Sequence, residues 1–324
     1  MRSLSQRLAA LTAATALALA AAACGSSGSS GTPGSGGVAP TSDGGTFPAA
    51  ITTAIGVVHV KSRPTAIISL SPTATEMLYA IGAGRQVKAV DSDSDYPPHA
   101  PMTKLSALSP NLEAIVAYKP DLVIVSNLSD NFDSLAKHLA SFSIPVLYLP
   151  APAGLSGVYS EFDQLGRATG HLAQARQENA RLRSQLARIA AAAPHHTAPL
   201  TYYYELDQTY YSVTSATFVG QLLHLLGMKS VADTASGAAA AGGYPQLSPE
   251  FIIKANPDYI ILADTLCCHQ SAATVASRSG WPGLTAVKDG HVIALNDDIA
   301  SRWGPRITDL LQTVETAIAK GGGA

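Results

Sequence analysis

The sequence has no HExxH helix, no nucleophile elbow, no phosphate loop and no CxxC pair. These gaps remove the commonest routes to zinc hydrolysis, serine hydrolysis, nucleotide chemistry and dithiol exchange, so an enzyme is not expected. The Ser/Gly-rich run from Gly25 to Gly37 has nothing that could organise a phosphate site and reads as linker. Charge of one sign is also scarce, with 21 Lys and Arg against 23 Asp and Glu. No basic stripe interleaved with aromatics is present, which argues against a nucleic-acid partner. His59, His138, His224 and His291 are scattered without paired metal-ligand spacing. The protein is expected to ligate no metal directly and to carry no cofactor of its own.

Only one long apolar run occurs, and it lies at the start. Arg2 and Arg7 precede an Ala/Leu stretch from Leu8 to Ala23, the layout of a secretory signal over residues 1–23. The run ends Ala21-Ala22-Ala23-Cys24-Gly25, which resembles a lipobox with Cys24 as the lipidated residue. It departs from the usual pattern at Ala21, where leucine is customary. Residues 24–55 then read as a flexible tether from a membrane anchor, since so little of their beginning can be buried. About 270 residues follow, enough for two domains, with no second run long enough to cross a bilayer. Without Arg2 and Arg7 there are 19 basic residues against 23 acidic, so the mature chain is mildly acidic.

What is present is an internal echo. Asn111 to Asn127 reads NLEAIVAYKPDLVIVSN and Ser248 to Asp264 reads SPEFIIKANPDYIILAD. Each has a cap residue, a short apolar-periodic helix with Glu in its first turn, a stop at Pro-Asp, and a buried-type strand. Thr75 to Gly82 and Gln221 to Gly227 supply a second echo of helices ending at glycine. Helices alternating with strands predict parallel α/β sheets, one per half. Further strands are predicted at Ala66 to Leu70, Val87 to Val90, Val146 to Leu149, Tyr202 to Leu206 and Val292 to Leu295. Between the halves, Gly170 to Ala193 is rich in helix formers and reads as one long connecting helix. The expected organisation is a first lobe over residues 56–152, a helical connector over 153–195 and a second lobe over 196–324.

Several stretches resemble the helical-backbone, class III periplasmic binding proteins that serve importers of cobalamin, ferric siderophores and haem. They are RPTAIISLSPTATEMLYAIGAG at Arg63 to Gly84, DSDYPP at Asp93 to Pro98, both echo segments, and AVKDGHVIALNDDIASRWGPRI at Ala286 to Ile307. The cobalamin-binding members are the most similar. The resemblance implies two α/β lobes joined by a rigid helix, a ligand cleft between them, a monomer, and partners in an ABC permease and its ATPase. The cargo it implies is a corrinoid first, with a siderophore or haem close behind. A ligand-storing or sensing lipoprotein without a transporter is the alternative.

The resemblance also assigns residues. Glu113 and Glu250 match the family's permease-docking glutamates, although each also suits a helix N-terminus. Tyr211 and Tyr244 match cobalamin-contacting aromatics of the second lobe. The corresponding positions of the first lobe hold Asp93, Ala107 and Ser126, so half of the aromatic clamp is missing. Asp298 and Arg302 match polar cleft residues, or form an ion pair holding their loop. Trp303 packs on that loop or faces the ligand, and Arg306 reads as structural. Of Tyr202, Tyr203 and Tyr204, a strand sends the outer two to one face and the middle one to the other.

Cys267 and Cys268 follow the strand Tyr259 to Leu262, at the carboxyl end where parallel sheets bind ligands. An oxidising compartment favours a disulfide between these neighbours, forming a wall of the cleft. Two free thiols, or a soft metal site with His269, are the alternatives.

Overall fold

The computed structural model describes residues 45–126 and 132–321. The predicted signal segment, Cys24 and most of the tether lie outside the described residues. The tether reading is too long at its end. Strand β1 (Ala49–Thr53) lies within it and pairs antiparallel with β2 (Gly56–Val60) just beyond, and Ile51 and Val60 are buried. Their inward alternation over so few residues is hard to separate from a polar linker.

The first lobe runs β3 (Ile67–Leu70), α1 (Pro72–Ala80), β4 (Val87–Asp91), β5 (Met102–Leu105), α2 (Leu112–Val116), β6 (Leu122–Val125), α3 (Phe132–Ser141) and β7 (Val146–Tyr148). Two helices follow, α4 (Leu155–Thr169) and α5 (Leu172–Ala192). The second lobe runs β8 (Leu200–Glu205), α6 (Phe218–His224), β9 (Met228–Ser230), α7 (Pro249–Ala255) and β10 (Tyr259–Leu262). It continues with α8 (Ala272–Ala276), α9 (Thr285–Lys288), β11 (Val292–Ala294), α10 (Asp297–Ser301) and α11 (Ile307–Gly321).

Both lobe sheets are parallel. Their orders are β5-β4-β3-β6-β7 and β11-β10-β8-β9. Setting aside the edge strand β5, each order is second, first, third, fourth in chain direction, so the repeat extends to the topology. The Pro-Asp of each copy has a structural task. Asp121 accepts the backbone N–H groups of Thr65 (2.7 Å) and Ala66 (2.9 Å), just before β3. Asp258 accepts the N–H and hydroxyl of Thr201, both at 2.7 Å, in β8. Each aspartate thereby ties the start of its own strand to the strand beside it.

The connector is two helices. Gly170, in the left-handed conformation at φ 78°, ends α4, and the chain reverses into α5. One apolar core is continuous through all three parts. Ile67, Val90 and Leu147 of the first sheet join Phe162 and Leu165 of α4, Leu182 and Leu186 of α5, and Tyr202, Tyr204 and Ile261 of the second sheet. Tyr203 points to the opposite face, edge-on to the buried Trp281 with ring centroids 5.9 Å apart. Among the described residues no helix is long and apolar enough to cross a membrane.

Candidate functional site

The carboxyl ends of parallel strands are where open α/β sheets bind ligands, because loops there are free to carry side chains while the strands hold them rigidly. β4 ends at Asp91 and the loop after it carries Asp93, Asp95 and Tyr96, while the end of β6 leads to the half-buried Ser126. In the second lobe, the loop after β8 carries Tyr211 and the segment pairing with it carries Tyr244, both exposed. The loop after β10 carries Cys267 and Cys268, which are joined by a disulfide with Cα atoms 3.8 Å apart. The segment after β11 carries Asp298, Arg302 and Trp303.

Arg302 brings several of these together. It is 8% exposed, and its Nη1 donates to Asp95 (2.7 Å) and Glu76 (3.1 Å). Its Nη2 donates to Asp298 (2.7 Å) and to the backbone oxygen of Asp93 (2.9 Å). One guanidinium thus links the loop after β4 and helix α1 of the first lobe to α10 of the second. Arg306 forks onto the other side of Glu76, its Nε 2.9 Å from Oε2, and lies over the Tyr96 ring at 4.2 Å. Burial alone would raise the Asp95 carboxyl, but the hydrogen bond and charge of Arg302 outweigh it and hold the group below its ordinary value. Burial raises Asp298, against the pull of Arg302.

Asp298 and Arg302 therefore form an ion pair that reaches beyond their own loop. Asp93 joins through its backbone only, with its side chain exposed. Trp303 is half-buried and donates its indole N–H to Glu161 of α4 at 2.7 Å. Burial pushes the Glu161 carboxyl up to about 8, which the tryptophan bond only partly offsets. Below that pH the folded protein keeps a proton that the unfolded chain releases near 4.5, so this group's contribution to stability falls as pH rises from there through about 8. Glu161→Gln keeps an acceptor for the indole and cannot ionise. Urea denaturation at pH 6 and 8 is expected to show a slope flattened by up to ~1.4 kcal/mol per pH unit.

A second buried polar cluster lies under the disulfide loop. Arg278 grips Glu205, at the end of β8, with two 2.6 Å bonds, and its Nη2 also donates to Gln270 at 2.7 Å. Asp264, fully buried, has no donor on either oxygen among the described residues. Burial and then the charge of Glu205 raise its carboxyl to about 7, so it retains a proton under acidic conditions. In the first lobe, Asp91 is fully buried as the last residue of β4. Burial raises it to about 6, partly offset by a short bond from Ser94.

Glu76, Asp95, Tyr96, Glu161, Glu205, Asp264 and Arg278 were not singled out from the sequence. Only Glu76 left a visible sign, a carboxylate amid apolar residues of the helix TATEMLYA. Glu113 and Glu250 are exposed in the first turns of α2 and α7, behind the caps Asn111 and Ser248. No group of three or more His, Cys, Asp or Glu is arranged to hold a metal among the described residues. A groove of 1110 Å³ lined by Tyr259, His291, Asp309 and Lys320 lies at the opposite end of the second sheet, away from these loops.

Two parallel-sheet lobes with their strand ends linked by a buried arginine, and joined through one core, are the frame of a binding clamp. The chain belongs to the periplasmic binding protein family, whose model matches residues 67–299. It is a non-enzymatic substrate-binding protein of the ABC-transporter class. It is 30% identical over 280 residues to an uncharacterized ABC transporter substrate-binding lipoprotein of Bacillus subtilis, covering 84% of this chain and 86% of that one. It is 32% identical over 267 residues to a vitamin B12-binding protein of Pectobacterium atrosepticum, covering 79% and 89%. The crystal structure of the periplasmic vitamin B12 binding protein of Vibrio cholerae shares the fold, with a TM-score of 0.64, 24% identity, and coverage of 86% and 100%.

Proposed function

We propose that this chain captures a metal chelate of the corrinoid class outside the cytoplasm and hands it to an ABC permease, held at the membrane by a lipid on Cys24. The observation that carries the ligand class is the 32% identity, over most of both chains, to a vitamin B12-binding protein. The site geometry is compatible with it. Tyr211 and Tyr244, 41% and 43% exposed, offer ring faces on the second lobe. On the first lobe, Tyr96 and Leu108 are 42% and 73% exposed on strand-end loops, apolar surface that the positions Asp93, Ala107 and Ser126 do not supply. The ion network of Arg302 forms the polar floor between them.

The test is thermal unfolding with cyanocobalamin, dicyanocobinamide, haemin and a ferric siderophore, all at one concentration of about 100 μM, roughly a hundredfold above a micromolar dissociation constant. A corrinoid is expected to raise the midpoint by about 5 °C or more. A shift with haemin or the siderophore and none with either corrinoid would replace the ligand class. For the anchor, a palmitate analogue is expected to label the wild type and not Cys24→Ala.

Docking is proposed to use Glu113 and Glu250, two exposed carboxylates in equivalent places on the two lobes. Opposite charges on a partner would fix orientation and speed encounter. The double variant Glu113→Ala/Glu250→Ala is expected to bind ligand with unchanged affinity while cellular uptake falls by roughly tenfold or more. Full uptake by that variant would defeat the docking role and leave capture intact.

A further inference from the structure

The loop from Ala263 to Gln270 is held from below with unusual completeness. The carboxylate of Asp297, at the start of α10, accepts the N–H of Leu266 (2.9 Å), the N–H of Cys267 (2.8 Å) and the Thr265 hydroxyl (3.0 Å). Thr265 also donates to the backbone oxygen of Leu295 at 2.6 Å. Gln270 closes the other side, its Nε2 on the Cys268 oxygen at 3.1 Å while its Oε1 receives Arg278. These polar groups are engaged within the fold. What remains outward is the Leu266 side chain, 55% exposed, and the exposed Cys267. Joined to Cys268, its sulfur presents no thiol donor.

A disulfide between adjacent residues closes the smallest loop the chain allows. The stabilisation from chain entropy grows with loop length and is least here. The loop's shape already has Asp297 and Gln270 to hold it. A clamp is therefore a weak reason for the bond, whereas a rigid, polarisable, donor-free face is what it creates. Its position is specific as well. β10 lies between β8 and β11, so the disulfide stands between the loop of Tyr211 and the segment carrying the Arg302 floor.

We infer that Cys267–Cys268, with Leu266, is a ligand-contact face of the second lobe that packs against the flat conjugated face of the cargo. The inference rests on the chelate reading and deepens it. Sulfur against a π-system attracts modestly beyond the area it buries, and the contact needs no hydrogen bond from the ligand. The face thus selects for ring surface rather than for peripheral polar groups.

The experiment compares dissociation constants for dicyanocobinamide and haemin, by absorbance titration, in oxidised wild type, in Cys267→Ser/Cys268→Ser, and in wild type opened by a phosphine. In that reaction the phosphine is oxidised to its oxide with oxygen from water, and the disulfide becomes two thiols. With the phosphine removed under argon before the probe is added, so that it cannot ligate or reduce the probe's metal, reduction alters the disulfide alone and decides the matter even where the variant folds poorly. Affinity for the bound probe is expected to fall roughly tenfold in both disulfide-free forms, with the unfolding midpoint of the reduced protein within about 2 °C of the oxidised one. Affinities within twofold across the three forms overturn this inference and leave the chelate reading standing. No binding of either probe by oxidised wild type overturns both.

Discussion

Arg302→Met is expected to destabilise the protein by about 3–5 kcal/mol, the cost typical of removing one partner from a buried charge network. The side chain of Glu76 is fully buried, and among the described residues Arg302 and Arg306 are its cationic partners. Methionine fills much of the volume but leaves Glu76 with Arg306 alone. It also leaves Asp95 and Asp298 near one another without the cation both contact, and the Asp93 carbonyl without its donor. Because the same guanidinium spans the two lobes, the substitution is expected to act on dynamics as well. Amide exchange should speed up in the loop after β4 and in α10 together. Urea unfolding gives the first measurement and hydrogen exchange the second. Glu76→Gln on the Arg302→Met background is expected to recover part of the loss, the coupling that residues in one network show. A loss below about 1 kcal/mol would mean that water replaces the guanidinium without difficulty.

The second large effect is expected at Arg278. It is the cation of a site where Glu205 and Asp264 are both fully buried. In Arg278→Met the two carboxylates face each other with no charge to separate them, and the expected cost is about 3–5 kcal/mol at pH 8. The sign with pH follows from the raised carboxyl. Asp264 holds its proton in the folded state up to about 7 but releases it near its ordinary 3.8 when unfolded. Its contribution to stability is complete below the lower value and is lost as pH rises through the higher one. Loss of the arginine raises the pair further. The variant is therefore expected to regain stability on acidification, with the cost falling to roughly 1–2 kcal/mol at pH 5. Equal cost at both pH values would show that Arg278 acts through its packing on Trp281, over which it lies at 4.5 Å, rather than through charge.

The strands legible in the sequence include the interior β3, β4, β6, β8 and β10 and also the edge strands β7 and β11, whose runs are apolar. β3, β6, β8 and β10 are near-continuous apolar runs because both faces of each are covered. β5 and β9 were missed, since MTKL and MKS carry a lysine and sit at sheet edges, where one side meets solvent. β1 was absorbed into the tether, since AAITT is short and lies against the Ser/Gly/Thr-rich stretch that precedes it. The vicinal cysteines could be read because the information is local. Arg302 and Glu76 lie 226 residues apart, and Arg278 and Glu205 lie 73 apart. Pairings at such separations leave no periodic trace, and apart from Glu76, set among apolar residues of its helix, each partner alone reads as an ordinary surface charge. Arg302 was found through resemblance, but its reach into α1 could only come from the fold.

The continuous core through α4 and α5 bears on how a partner could tell a loaded clamp from an empty one. A hinge that swings shut announces its cargo by a change of outline. Here the two lobes and the struts between them share one packed interior, which resists such bending. Glu113 and Glu250, the docking pair proposed above, are then expected to keep nearly the same spacing whether or not the cleft is filled. An importer reading only that spacing would engage empty copies as readily as full ones, so productive handover has to depend on touching the cargo itself or on forcing the struts apart.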